Sequence, residues 1–249
     1  MAKWSVESVA TQVFKVGQNF SEFVIQHLKE QDLEGRVLAI TSKVISIAEN
    51  RLVPKDSITR EELIYQTADR YLGEGGYHHH LTLMNGLLIP SAGIDESNSD
   101  DGSYILYPKD PFSSAKTVWK LLRTHFKLQN FGLILTDSHS QILRRGVTGI
   151  ALAHWGFRAT KDCVGQADLF GRPLKFTHVN VVDSLAAMAV LAMGEAAEQT
   201  PMAVISGGPL EFTEDTKSSE IIVSPENDLY APLFFNGLKP FAKGRLASS

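Results

Sequence analysis

Leu87-Leu88-Ile89-Pro90-Ser91-Ala92-Gly93-Ile94-Asp95-Glu96-Ser97-Asn98 is the stretch from which the chain is best read. Leu87 to Ile89 reads as a strand that ends at Pro90. Small residues turn the chain, and two carboxylates, a hydroxyl and an amide then follow within four positions. A strand holds such a tip rigid, and clustered oxygens suit a hard cation such as Mg²⁺ or Mn²⁺. Asp, Ser and Asn are also ordinary turn residues, so a solvated turn satisfies the same letters.

Upstream, Leu81-Thr82-Leu83 pairs with Gly86 to Ile89 around Asn85-Gly86, a strong hairpin signal. Ile58 to Leu72 reads as a helix capped by Ser57 or Thr59, and Gly73 to Tyr77 as a connector. Downstream, Tyr104 to Tyr107 is a short strand. Ser113 or Ser114 then caps a helix whose apolar face is Val118, Leu121, Leu122 and Phe126. A second apolar strand, Phe131 to Leu135, ends in Thr136-Asp137-Ser138-His139-Ser140. Two strands therefore end in acidic tips. If the tips meet, Asp95 and Asp137 supply the carboxylates of a metal-dependent phosphate site.

The flanks complete the outline. Phe20, Phe23, Val24 and Leu28 share a helical face behind Asn19 or Ser21. Arg36 to Ile40 is a buried strand that opens into Thr41-Ser42-Lys43 and a helix over Val44 to Glu49. Hydroxyls and a cation at a strand-to-helix turn suit phosphate oxygens, and equally a simple cap with a surface lysine. Val181 to Ala197 reads as one long alanine-rich helix, with Glu195 at its end as a third carboxylate or a solvated one. Ala203 to Ile205 is a further strand, and the last ~25 residues wrap the surface or a partner subunit. Strands and helices do not alternate regularly, so the expected class is α+β, with mixed sheets and packed helices.

The bulk numbers set limits. The 249 residues are 43% hydrophobic, enough for one large domain over 1–249 or two interlocked subdomains. A net charge of −4 and the lack of a long Lys/Arg run argue against nucleic acid as partner. One cysteine, Cys163, excludes an internal disulfide and fits a reducing compartment. No apolar run reaches membrane-spanning length, and Met1 to Glu7 lacks a signal-peptide core, so a cytoplasmic protein is expected. Neither GxxxxGK[ST] nor a strand-following GxGxxG is present. His78-His79-His80 cannot easily bind one ion from a strand, where neighbours point to opposite faces. Arg144-Arg145-Gly146 can hold an anionic substrate or form a solvated turn.

These pieces, taken in order, resemble the coenzyme F-420:L-glutamate ligase family over about residues 11 to 207. Thr41-Ser42-Lys43-Val44-Ile45-Ser46, with Glu49 and Arg51, is similar to its "TSKVVSKAEGR" segment. Ile89 to Asn98 is similar to "IPNAGIDESN", and Thr136-Asp137-Ser138 to "SDT/SDS". Gly171-Arg172-Pro173-Leu174 and Val182 to Glu195 resemble "FGRxLxxT" and "VADELAAAAELVMGE". The chain departs from the pattern at Ile47, often lysine, at Asn50, often glycine, and over His139 to Arg144. Arg144 to Ile150 resembles instead a bacterial branch with "TDSRTxPLRRGVTGI", whose members are named as folate-metabolism γ-glutamate ligases.

The resemblance implies a GTP-dependent ligase that adds L-glutamate through an amide bond and needs divalent metal, in a two-part α+β fold forming an intertwined homodimer. By match, Asp95, Asp137 and Ser138 are metal ligands, and Glu195 lies in the metal and nucleotide region. Ser42, Lys43 and Asn98 contact the nucleotide, and Ser8, Val9, Ala10 and Thr11 border it. The expected chemistry is phosphoryl transfer from GTP or ATP to an acceptor carboxylate, followed by attack of the glutamate amine. Asp95, Asp137 and Lys43 carry it, and Arg144 and Arg145 clamp a substrate carboxylate. The alternatives are a non-catalytic nucleotide- or pterin-binding relative and a metal-dependent phosphohydrolase.

Overall fold

Val37-Leu38-Ala39-Ile40 is apolar at every position because both faces of its strand are covered. The computed structural model describes residues 3–97, 102–208 and 210–232. In chain order the elements are β1 (Ser5–Val9), α1 (Phe20–Leu28), β2 (Arg36–Thr41), α2 (Ser42–Ala48), β3 (Leu52–Val53) and α3 (Arg60–Thr67). Next come β4 (Arg70–Glu74), β5 (His80–Met84), β6 (Leu87–Pro90), β7 (Tyr104–Ile105), α4 (Pro111–Phe126) and β8 (Phe131–Ser140). Then follow β9 (Val147–Trp155), β10 (Thr160–Asp162), β11 (His178–Asn180), α5 (Val181–Met193) and β12 (Met202–Ser206), with a 3-10 turn at Ser218–Glu220 beyond them. This is an α+β arrangement with mixed sheets, as the element order suggested.

The main sheet runs β1-β12-β2-β8-β9, antiparallel except for the parallel pair β2–β8. Leu38, Ile40, Leu133, Leu135 and Val204 point to the side of α1 and α4, where Phe23, Leu28, Val118 and Leu122 meet them. Val37, Ala39, Ile134, Ala203 and Ile205 point to the other side, against Val182, Leu185, Ala186 and Ala189 of α5. Each fully buried Leu or Ile contributes about 1.5–3 kcal/mol to this sandwich. A second sheet, β4-β5-β6, carries the hairpin at Asn85-Gly86.

Several elements end elsewhere than the sequence suggests. The helix expected over Ile58 to Leu72 stops at Thr67, although Thr59 caps it with a full capping box to Glu62. Ala68 is extended, and Arg70–Glu74 pairs with β5 instead. Tertiary pairing, helped by Tyr71, overrides the local helical spacing. Asp110, not Ser113 or Ser114, caps α4, with Pro111 in its first turn. The hydroxyl of Ser114 bonds the carboxylate of Glu49 instead. α5 ends at Met193 rather than Ala197, because Gly194 takes φ +80 and breaks the ladder. Glu195 therefore sits on a loop. β8 continues through the polar residues to Ser140, paired with β9, so Asp137 lies within a strand and not on a tip. The register shifts between Leu135 and Thr136, a bulge of the kind that re-aims side chains beside a site. Most of the C-terminal tail and Asn98 lie outside the described residues.

Candidate functional site

Thr136 and Asp137 leave the core on β8 where its parallel neighbour β2 runs into α2, and this junction opens a cleft of about 590 Å³. Lys43, Asp95, Ser97, Asp137 and Ser138 line it, with Ile47, Leu52 and Ile105 as an apolar wall. Thr11 to Val16 and the loop from Gly194 to Pro201 form its other sides. The two acidic segments therefore do meet, one from the β6 loop and one from inside β8.

Asp95 is placed by backbone and cation together. Its N–H donates to Ile105 O at 3.0 Å, and Ile105 N–H returns the bond to Asp95 O at 2.9 Å. Lys43 Nζ stands 2.6 Å from Asp95 Oδ2 and donates to Ser97 Oγ at 3.1 Å. Ser97 N–H donates to Asp95 Oδ1 at 2.7 Å. Partial burial raises this carboxyl, but Lys43 and the Ser97 amide outweigh it and hold the group below its usual range. Glu96, its neighbour, turns the other way. It pairs with Lys55 at 3.0 Å and Arg60 at 2.8 Å, so the two adjacent carboxylates do not share one site.

Asp137 has a different environment. Tyr107 Oη donates to its Oδ2 at 2.5 Å, and the Ser138 N–H also bonds the carboxylate. Burial dominates and, with the nearby Asp95 charge, raises the carboxyl to about 6 against these hydrogen bonds and Lys43. Burial and the Asp137 charge push the Tyr107 phenol well above its ordinary value.

Other sequence-derived candidates divide clearly. Thr11 and Glu195 reach the cleft, Glu195 from an exposed rim. Ser8 and Ala10 are exposed outside its lining, Val9 is core, and Ser42 is buried at the start of α2. Arg144 and Arg145 occupy the exposed turn between β8 and β9, outside the cleft lining, with Arg144 Nη1 donating to Leu143 O at 3.2 Å. His78 pairs with Glu74 at 2.9 Å, and Cys163 is buried. Among the described residues, no three His, Cys, Asp or Glu side chains are grouped to hold a metal ion. Asp95 and Asp137, with Ser138 beside them in the cleft lining, are oxygen donors of the type that suits Mg²⁺ or Mn²⁺. Such ions are held by one or two carboxylates and take further ligands from substrate phosphates and water. Sequence reasoning missed Tyr107, which reads as an apolar strand residue, and the wall from Gln12 to Val16, which carries no charge pattern except Lys15.

Two acidic segments and a lysine thus share one cleft of a mixed α+β fold. Residues 8–207 match the model of the F420-0:gamma-glutamyl ligase family, and the chain belongs to that family. It is 32% identical to the coenzyme F420:L-glutamate ligase of Methanopyrus kandleri over 86% of this chain and 92% of that protein. Against the enzyme of the same name from Archaeoglobus fulgidus it is 33% identical, over 87% and 92%. The Methanocaldococcus jannaschii enzyme of that name gives 32%, over 88% and 93%. The chain is thus an enzyme of the amide-bond-forming ligase class. No helix among the described residues is long and apolar enough to cross a membrane.

Proposed function

We propose that the enzyme joins L-glutamate to a small-molecule acceptor carboxylate at the expense of GTP or ATP, with Mg²⁺ or Mn²⁺ in the cleft. The convergence of Lys43, Asp95, Asp137 and Ser138 on one cavity carries the reading. An acceptor carboxylate oxygen attacks the γ-phosphorus and the nucleoside diphosphate leaves. The glutamate amine then attacks the acyl phosphate, loses a proton and expels inorganic phosphate, which leaves an amide. Asp95, Asp137 and Ser138 hold the cation, which when bound neutralises phosphate charge. Lys43 stabilises the charge on the transferred group. Thr11 borders the nucleotide, Ser8, Val9, Ala10 and Ser42 belong to its surroundings, and Glu195 faces it from the rim. Arg144 and Arg145 contact an acidic substrate from the exposed turn.

The acceptor is of the F420-0 kind that the names of the relatives indicate, or folate-like, as the Arg144 to Ile150 pattern favours. The working form is a homodimer. The arm from β10 to β11 supports this, because it leaves Leu169 98%, Phe170 81% and Phe176 87% exposed. Incubation with labelled glutamate, nucleotide, Mn²⁺ and each acceptor tests the reading. A labelled acceptor–glutamate amide formed with stoichiometric nucleoside diphosphate is expected. Phosphate release without adduct, across both acceptor classes, contradicts it and favours a phosphohydrolase.

A further inference from the structure

We infer that Tyr107 is a positioning residue for the Asp137 carboxylate and locks the two acidic segments of the cleft in register for a divalent cation. The inference rests on the cation reading given above. Tyr107 is only 4% exposed and packs with Ile89 and Leu152. A buried phenol needs an acceptor, and this one donates its hydrogen bond to Asp137 Oδ2 at 2.5 Å. Bonds of this charge-assisted type are short, strong and directional. They fix the rotation of the carboxylate and so the direction of its remaining lone pairs.

The same few residues also grip the other acid. Ile105 exchanges both backbone hydrogen bonds with Asp95. Over three residues, then, the chain holds the backbone of one carboxylate and the side chain of the other. Gly93 closes the link. At φ +67, a Cβ on it would lie 2.2 Å from Tyr107 Cζ and 2.6 Å from the phenol oxygen. The turn that launches Asp95 is therefore packed directly on the ring that orients Asp137. Arg51 Nε donates to Tyr107 O at 3.0 Å and anchors its main chain. The bulge opposite Leu135 and Thr136 supplies Leu152 to the ring's apolar contacts.

Partners that orient a ligating side chain are worth about 10–100-fold in metal affinity. Tyr107→Phe keeps the ring and its packing and removes only the donor. Mn²⁺ binding, read by the electron paramagnetic resonance of the free ion with no nucleotide present, is compared in the wild type, Tyr107→Phe and Tyr104→Phe, together with each thermal midpoint. Tyr104→Phe removes a phenol from a buried tyrosine of the same segment. The expected result is about tenfold weaker Mn²⁺ binding in Tyr107→Phe alone. Wild-type affinity in Tyr107→Phe, or equal losses in both variants, overturns the assignment. A wild type that binds no Mn²⁺, either alone or with GTP added, removes the cation reading itself and the role built on it, and that failure shows before any variant is compared.

Discussion

Asp95 and Asp137 are the same residue type in one cleft, yet their surroundings drive them in opposite directions. Asp95 has a 37% exposed side chain and a lysine 2.6 Å away, and its carboxyl is held below the usual range. Asp137 sits deep in β8 against a phenol, and burial raises its carboxyl to about 6. One acid is kept ionised by the protein alone. The other is ionised at neutral pH at a cost in stability that a cation bound there would offset. The chain thus satisfies one half of the pair and leaves the other unsatisfied.

Breaking the satisfied half has the largest expected effect. Asp95→Ala removes the carboxylate proposed to hold the cation and deprives Lys43 of its ion pair. Turnover is expected to fall by about a thousandfold, with a far-ultraviolet circular dichroism spectrum like that of the wild type. Retained turnover would contradict the role of the β6 loop. Lys43→Met is expected to lower kcat by about a hundredfold, with KM for glutamate little changed, in steady-state assays.

The unsatisfied half predicts a gain. Asp137 has a folded-state carboxyl raised from 3.8 to about 6. Between those values the folded state binds more protons than the unfolded state. Stability due to this group is fully present below about 3.8 and is lost as pH rises through about 6. Asp137→Asn, which keeps an oxygen for Tyr107, is therefore expected to stabilise the metal-free protein at pH 8, by up to about 3 kcal/mol. It should do so while abolishing Mn²⁺ binding. Urea unfolding at pH 8 and at pH 5 checks this, and the gain should shrink at the lower pH. The smallest effect is on wild-type cation affinity, which should fall about tenfold per pH unit below 6, as protons compete for Asp137. A flat affinity from pH 8 to 5 would show that Asp137 is not a ligand.

The same contrast explains what could be read from the letters. The β6 loop was legible because its signals are local: a strand, a Pro, a small turn and clustered oxygens over consecutive positions. The central strands were legible from continuous apolar runs, and the α1 cap from Asn19. Asp137 was found as a residue but misplaced as a tip, because the extension of β8 depends on its pairing with β9. β4 was hidden for a similar reason, since its partner lies across a turn and its own spacing mimics a helix. Tyr107 left no signal. Its neighbours are apolar, and only the fold brings its hydroxyl to an acid thirty positions away. Arg144 and Arg145 were conspicuous as charges, and the fold puts them on an exposed turn outside the cleft lining.

The central claim is that the two acidic segments and Lys43 form one metal-nucleotide site. Calorimetric titration of GTP and of ATP into the wild type and Asp95→Asn, each with and without Mn²⁺, tests it most directly. The account predicts binding of at least one nucleotide that depends on Mn²⁺ and is lost in Asp95→Asn. Nucleotide binding that ignores both the metal and the substitution, or no binding of either nucleotide to the wild type, would contradict it.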